Sequence, residues 1–236
     1  NKNANTRTWS PYRNPKSYSN EGVDLICASF LRTVKKGCYI DVGANHPTIN
    51  NNTYYFYNLG WRGLGIDGNE SFSQEWKQTR PEDQFLAHLV SDSNKIVDFS
   101  IYEDHGLSTI SASEQRRYSE RFSLNQINTK QLETSTLAKI KRDNLGYCEI
   151  HLLHIDVEGE EFNVLHGANL SEMLPGIIAI ELKNLSLYDL GQSSIVKYLT
   201  NLGYRLVGKT PLDSVFIYPQ KAYFDWVPET LLSLRV

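Results

Sequence analysis

The chain of 236 residues is long enough for one α/β domain, and its hydrophobic content of 40% is sufficient for a core. A formal net charge of -3 gives no basic surface that would hold a phosphate backbone, so nucleic acid is not an expected partner. The three cysteines show no zinc-type spacing, which favours a reducing, cytoplasmic compartment, and no apolar run approaches the roughly 18 residues that span a membrane.

The N-terminal part of the chain is predicted to precede the main domain. Residues 1–20 lack apolar periodicity, whereas residues 21–36 repeat apolar side chains at three- and four-residue steps, which predicts an amphipathic helix. We therefore expect a lead and helix over residues 1–37, the main domain over residues 38–218, and a tail over residues 219–236 that packs on it. Because the sequence begins at Asn1 rather than Met, we also expect further domains of a longer chain.

The first predicted strand ends in an acid and then a glycine, Asp41 and Gly43. A buried parallel strand is a short hydrophobic run, and ligands bind beyond the carboxyl ends of such strands. Gly43 would let the backbone approach a ligand, with Asp41 near a cationic or hydroxyl-bearing group. A pyrophosphate fingerprint needs glycines where this chain has Asn45 and Thr48, which favours a nucleoside ligand without phosphate, such as S-adenosylmethionine, over an ordinary turn.

The second predicted strand, residues 63–67, also ends in an acid, Asp67. In nucleoside-binding α/β folds an acid at this point accepts hydrogen bonds from ribose hydroxyls. The alternative is a capping role, because a helix is predicted over residues 71–79.

A third strand is predicted over residues 84–90 and is followed by Ser91 and Asp92. This polar pair would meet an adenine amino group or form a solvated turn. Residues 95–102 alternate apolar and polar side chains, as in a half-exposed antiparallel strand. The polar connection over residues 103–130 is typical of a lid or substrate loop.

The later part of the chain delivers more acids to strand ends. After a short strand over residues 131–135 and a helix from Thr136 to Asp143, a fourth core strand leads into Asp156 and Glu158. The fifth core strand, residues 176–183, carries Glu181 and Lys183 at its end. A helix over residues 193–202 and strands over residues 204–207 and 213–218 predict a closing antiparallel hairpin at the sheet edge.

Four motifs together give the sequence a resemblance to the FkbM family of class I S-adenosylmethionine-dependent methyltransferases, over about residues 38–218. They are Ile40-Asp41-Val42-Gly43-Ala44-Asn45-His46-Pro47, Asn52-Thr53-Tyr54 with Gly60-Trp61-Arg62-Gly63, Gly106-Leu107-Ser108-Thr109, and His154-Ile155-Asp156-Val157-Glu158-Gly159. The resemblance implies an α/β, Rossmann-like, seven-stranded and mostly parallel sheet with an antiparallel terminal hairpin and helices on both faces. It also implies O-methylation of a sugar, glycan or polyketide hydroxyl.

The candidate site residues fall into three groups. For the cofactor, S-adenosylmethionine, they are Asp41, Gly43, Ala44, Asn45, Asp67, Ser91, Asp92 and Asp156. The candidate bases, which would take the proton of an acceptor hydroxyl, are Asp156 first, then Glu158, Lys183 and His154. The candidates for binding the sugar or glycan acceptor are His46, Asn52, Tyr54, His105, Ser108 and Glu181.

Three alternatives stay open on the sequence. A divalent metal ion held by Asp156 and Glu181 would orient the acceptor oxygens. A catalytically idle domain could bind a cofactor or glycan while tethered to a glycosyltransferase. An NAD-dependent oxidoreductase is disfavoured by the missing glycines.

Overall fold

The structure is a computed structural model that describes residues 15–103, 107–121, 124–183 and 185–232. The described strands are β1 (Cys38–Val42), β2 (Arg62–Asp67), β3 (Gln84–Ala87), β4 (Leu89–Ser91), β5 (Ile96–Tyr102), β6 (Gln126–Thr136), β7 (Leu152–Ile155), β8 (Ile177–Glu181), β9 (Arg205–Lys209) and β10 (Asp213–Ile217). The helices are α1 (Val23–Phe30), α2 (Tyr54–Asn58), α3 (Ser73–Thr79), α4 (Ala112–Arg121), α5 (Leu137–Leu145), α6 (Glu161–Gly167), α7 (Leu170–Met173), α8 (Ser194–Asn201) and α9 (Glu229–Leu232). Within these ranges no helix is long and apolar enough to cross a membrane.

The main sheet has seven strands in the order β3-β2-β1-β7-β8-β10-β9. Its first five strands are parallel, and β10 runs antiparallel to both β8 and β9. The prediction of an α/β, Rossmann-like sheet with a reversed terminal hairpin is therefore confirmed. The chain order reverses between β1 and β7, and in open α/β sheets such a point opens a crevice at the carboxyl ends of the strands.

Both faces of the sheet are buried, because successive side chains of a strand point to opposite faces. On β1, Ile40 and Val42 pack with residues of α5, α6 and α8. Tyr39 lies in the other layer, with residues of α1 and α2 and with Phe224 of the C-terminal tail. A strand covered on both faces reads as a continuous apolar run, which is what residues 38–42 show apart from Asp41.

Some element boundaries differ from those predicted. Helix α1 ends at Phe30. Leu31 follows the helix and packs in the core, where it is 1% exposed. The apolar periodicity therefore extends past the end of the helix. The third predicted strand, residues 84–90, is divided at His88, whose amide donates to the Asp67 carbonyl. After this break, β4 leaves the main sheet and pairs with β6, which also pairs antiparallel with β5 as the alternation in residues 95–102 predicts. Strand β6 has 11 residues, about twice the length predicted for it.

A group of buried polar side chains lies beside β1. Asp41 accepts hydrogen bonds from His154 Nδ1 at 2.8 Å and from Thr53 Oγ1 at 2.7 Å. Arg80, which is 0% exposed, donates to the Tyr39 hydroxyl at 2.8 Å and pairs with Asp83 at 2.7 Å. Burial would raise the pKa of Asp41, but the hydrogen bonds from His154 and Thr53 outweigh it and lower the pKa. Removing one partner of an ion pair in this group would destabilise the fold, because the other partner would remain as a buried, uncompensated charge.

Gly43 joins the ends of β1 and β7. Its backbone has φ 78°, its amide donates to the Ile66 carbonyl at 2.9 Å, and a Cβ built on it would lie 1.6 Å from the Asp156 carbonyl oxygen. The sequence analysis assigned Gly43 a close approach to a ligand. The structure adds that the nearest obstacle to a side chain here is the backbone of the loop after β7.

We expect Gly43→Ala to destabilise the fold by roughly 2–4 kcal/mol, because it combines a left-handed backbone with a clash against a main-chain oxygen. Gly60→Ala is the matched control, since Gly60 has φ 87° and nothing within 4 Å of its Cβ position. That control should lose only about 1 kcal/mol. Urea unfolding measures both, and equal losses would contradict the assigned contact.

The buried pair of Asp41 and His154 predicts a pH dependence of stability. Burial lowers the pKa of His154, but the carboxylates of Asp213, 3.9 Å from Nε2, and Asp41 outweigh it and raise the pKa from 6.5 to about 10. The folded state then keeps a proton that the unfolded state releases. The free energy of unfolding should be highest below pH 6.5 and should fall by up to about 1.4 kcal/mol per pH unit towards pH 10.

The measurement is urea unfolding of the wild type and of His154→Gln at several pH values across this window. The variant should be less stable and should depend less on pH. Parallel curves for the two proteins would show that His154 carries no proton in the folded state.

Candidate active site

A cleft opens at the carboxyl ends of β1, β2 and β7. It contains about 590 Å³ of empty space, partly open to solvent. Its walls are the residues that follow these strands, together with residues 88–90 and 108–110. The predicted residues that line it are Gly43, Asn45, Asp67, Ser108, Asp156 and Glu158. Acids from two separate strand ends, those of β2 and β7, therefore share one rim.

The Asp67 side of the cleft is held by backbone amides. Asn45 donates its amide to Asp67 Oδ2 at 2.9 Å, and Asn69 donates its amide to Oδ1 at 2.8 Å. Asn45 itself has φ 48°, and its carbonyl accepts a hydrogen bond of 2.7 Å from Trp76 Nε1. The carboxylate is thus fixed at the end of β2, and its position matches that of an acid that accepts hydrogen bonds from ribose.

The other side of the cleft carries three carboxyl groups. Asp156, Glu158 and Glu181 each place one oxygen within 4.8 Å of the others, a group that we call the acid cluster. The Lys183 ammonium donates to Glu158 and lies 2.9 Å from Glu181. Asp156 Oδ1 is shielded from solvent and has no hydrogen-bond partner among the described residues. The acid cluster therefore has more negative than positive charge and one unused acceptor atom.

The pKa values in the acid cluster follow from burial and mutual repulsion. Burial and the charges of Glu181 and Glu158 raise the pKa of Asp156 well above its usual value. Burial and Glu158 raise the pKa of Glu181 to about 7, although Lys183 partly offsets them. Burial lowers the pKa of Lys183, but the pairing with Glu158 and Glu181 outweighs it and raises the pKa. Asp156 is therefore more basic than an ordinary aspartate, which favours it as a general base.

The polar connection predicted as a lid covers Glu158. Thr109 Oγ1 donates to the Glu158 carbonyl at 2.7 Å, and the Tyr118 hydroxyl on α4 donates to the Glu158 carboxylate. Tyr118 is 0% exposed, and the sequence analysis missed it. The signal was available, because Tyr118 is the one aromatic residue within the polar segment Ser113-Glu114-Gln115-Arg116-Arg117-Tyr118-Ser119-Glu120.

Three predicted site residues lie behind the cleft instead of lining it. Asp41 is 1% exposed and directs its carboxylate to His154 and Thr53, on the opposite face of β1 from Ile40. His154 is 2% exposed, bonds Asp41 through Nδ1, and has Asn52 and Asp213 beside Nε2. Ala44 packs in a small apolar cluster. None of the three lines the cleft, and Asp41 and His154 contact each other behind it.

Ser91 and Asp92 also lie away from the cleft walls. The break at His88 ends the third core strand four residues earlier than Ser91, so the residues at the cleft are His88, Leu89 and Val90. Ser91 is 0% exposed, and Asp92 bonds Ser93 and Lys95. Their position favours the alternative that the sequence left open, a turn, over contact with an adenine.

The predicted acceptor residues are divided between several places. His46 Nε2 pairs with Glu75 at 2.8 Å, Asn52 bonds His154, and the Tyr54 ring packs edge-on against Tyr18. None of these three lines the cleft. Ser108 lines it and Glu181 belongs to the acid cluster, whereas His105 lies outside the described residues.

Comparison with known proteins gives one match. The chain matches the model of the methyltransferase FkbM domain over residues 41–206, from the end of β1 into β9. A search of the curated proteins gave no match. The matched segment contains the ends of β1, β2 and β7 that form the cleft and the whole acid cluster. The chain therefore belongs to the family of methyltransferases with the FkbM domain.

Proposed function

We propose that the protein transfers a methyl group from S-adenosylmethionine to a hydroxyl oxygen of a sugar or glycan, with Asp156 as the base. The observation that carries this proposal is the Asp156 carboxyl group. It lies half-buried at the rim of the cleft, its pKa is raised, and its shielded Oδ1 atom has no partner among the described residues.

The cleft suits S-adenosylmethionine, the methyl donor that the family implies. Asp67, fixed by two backbone amides, is placed to accept hydrogen bonds from a ribose. Leu89, Val90 and Phe99 offer an apolar wall for the adenine ring of the cofactor. The excess negative charge of the acid cluster favours a sulfonium, which is cationic.

The chain's own residues would orient the acceptor and move one proton. When bound, the cofactor would supply an electrophilic methyl group for the acceptor oxygen. Asp156 takes the hydroxyl proton, a step that contributes about 10²–10⁴-fold to the rate. Glu158 pairs with Lys183, and α4 covers it through Tyr118, which helps to exclude water.

A divalent ion at Asp156 and Glu181, the candidate metal site of the sequence analysis, is not part of this proposal. Lys183 already bridges Glu158 and Glu181, so an ion would have to compete with the ammonium group. We therefore propose that the transfer needs no metal. Dialysis against EDTA should leave the rate unchanged, and a rate restored only by Mg²⁺ would contradict this.

We also propose that the protein works in a reducing compartment, as in the cytoplasm. The thiols of Cys27, Cys38 and Cys148 are free, and Cys148 is exposed. Such a thiol persists where the surroundings are reducing. Trapping the thiols in intact cells and counting them by mass spectrometry tests this, and an oxidised Cys148 would contradict it.

Asp67→Asn should weaken S-adenosylmethionine binding by about 10- to 100-fold, because hydrogen bonds to a charged acceptor contribute about 1.5–3 kcal/mol. Asp92→Asn is the matched control and should change nothing, since Asp92 lies away from the cleft. Calorimetric titration measures both affinities.

The same titration with NAD separates the proposal from an oxidoreductase. Binding of NAD in preference to S-adenosylmethionine would overturn the proposed cofactor. Equal losses for the two aspartate variants would overturn the assigned ribose position.

Asp156→Asn should lower kcat by about 10²–10⁴-fold in a transfer assay with sugar acceptors. Glu181→Gln should keep activity and should move the acidic limb of the profile of kcat/KM against pH to lower pH. The reason is that the Glu181 charge helps to raise the pKa of Asp156, so the base ionises earlier without it.

An acidic limb that stays in place in Glu181→Gln would show that Asp156 is not the base. Binding of S-adenosylmethionine without transfer to any acceptor would instead support the idle domain tethered to a glycosyltransferase.

A further inference from the structure

A second groove borders the acid cluster. It contains about 800 Å³ of empty space, partly open to solvent, between α4 and the start of α8. Glu181 and Lys183 line this groove, whereas Asp156 and Glu158 line the cofactor cleft. Because Lys183 bonds both Glu158 and Glu181, one layer of charged side chains separates the two spaces. A molecule in the groove would therefore lie against the acid cluster, and only its reacting hydroxyl group would have to extend past this layer into the cleft, where Asp156 lies.

We propose that this groove binds the acceptor, and that it selects a neutral or amino-bearing polyhydroxylated molecule over one that carries carboxylate or phosphate. We expect the exposed Tyr188, in the segment between the groove residues Leu185 and Ser193, to supply a stacking face. This inference rests on the proposed function and deepens it by placing and classifying the acceptor.

The charges of the groove carry the selectivity. Three carboxyl groups line it, those of Glu114, Glu161 and Glu181. Both cations on its walls are already paired: Arg117 Nη1 lies 2.9 Å from Glu114, and Lys183 bonds the acid cluster. An anionic acceptor would meet repulsion without a cation available to it. A hydroxyl or an ammonium group would instead find acceptor oxygens.

The polar character of the groove also favours hydroxyl-bearing molecules. Ser193 and Ser194 line it beside the charged groups. Hydroxyl and carboxylate groups at fixed positions match the alternating donors and acceptors of a sugar ring.

The rim offers an aromatic ring. Leu185 and Ser193 both line the groove, and the segment between them carries Leu187, 69% exposed, and Tyr188, 97% exposed. Tyrosine has an apolar face and a polar tip, so it can cover the C–H face of a sugar while its hydroxyl stays in water. Adjacent exposed apolar residues beside a groove are typical of a binding surface.

The first test compares two exposed tyrosines. Tyr188→Ala should raise the acceptor KM at least fivefold and leave the KM of S-adenosylmethionine unchanged. Tyr147→Ala is the control, because Tyr147 is 107% exposed but precedes β7, at the edge of the sheet opposite the cleft. Equal behaviour of the two variants would overturn the stacking role.

The second test uses methyl glycosides of glucose, glucosamine and glucuronic acid, and the corresponding galactose series. The uronates should show kcat/KM at least tenfold below the neutral and amino members. Glu114→Gln should narrow this difference, since it removes a groove charge and the partner of Arg117. Glu120→Gln, an exposed position on the same helix, should not.

The outcomes separate this inference from the function beneath it. Methylation of uronates in preference to the other sugars, or no effect of Glu114→Gln, would overturn the inference and leave the methyltransferase intact. Failure to bind S-adenosylmethionine would overturn the proposed function itself. Cofactor binding with no transfer to any member of the series would overturn the acceptor class.

Discussion

The site depends on the contact between the loops that follow β1 and β7. Gly43 can meet the Asp156 carbonyl only because it has no side chain, and its left-handed backbone turns the first loop towards Asp67. The same contact fixes the residue that carries the proposed base. Cofactor loop and base are therefore positioned by one backbone junction, and the buried pair of Asp41 and His154 supports it from the core.

The ammonium group of Lys183 partly offsets the negative charge of the acid cluster. Lys183 pairs with Glu158 and Glu181, while burial and the repulsion from these two carboxylates keep the pKa of Asp156 high. A site with such an excess of negative charge is stabilised when a cation enters it. Cofactor binding and the ionisation of the base are for this reason expected to influence each other.

Much of the fold and part of the site could be predicted from the sequence, since apolar runs that end in acids mark buried parallel strands. The family and the sheet were predicted correctly, and Asp67, Asp156 and Glu158 lie at the cleft. Side chains alternate between the two faces of a sheet along a strand, so Asp41 faces the opposite side from Ile40. The sequence prediction that Asp41 contacts the cofactor did not take this alternation into account. The break at His88 was not predicted, because a single polar residue within a mostly apolar run does not by itself mark a change of sheet.

Side chains of α4 contact the acid cluster and line the groove beside it. Tyr118 is a hydrogen-bond donor to Glu158, and Glu114 and Arg117 line the adjoining groove. If α4 moves away, the Glu158 carboxylate loses the hydrogen bond from Tyr118, and the electrostatic field at Asp156 changes. Binding of a molecule beneath α4 and protonation of Asp156 are therefore coupled.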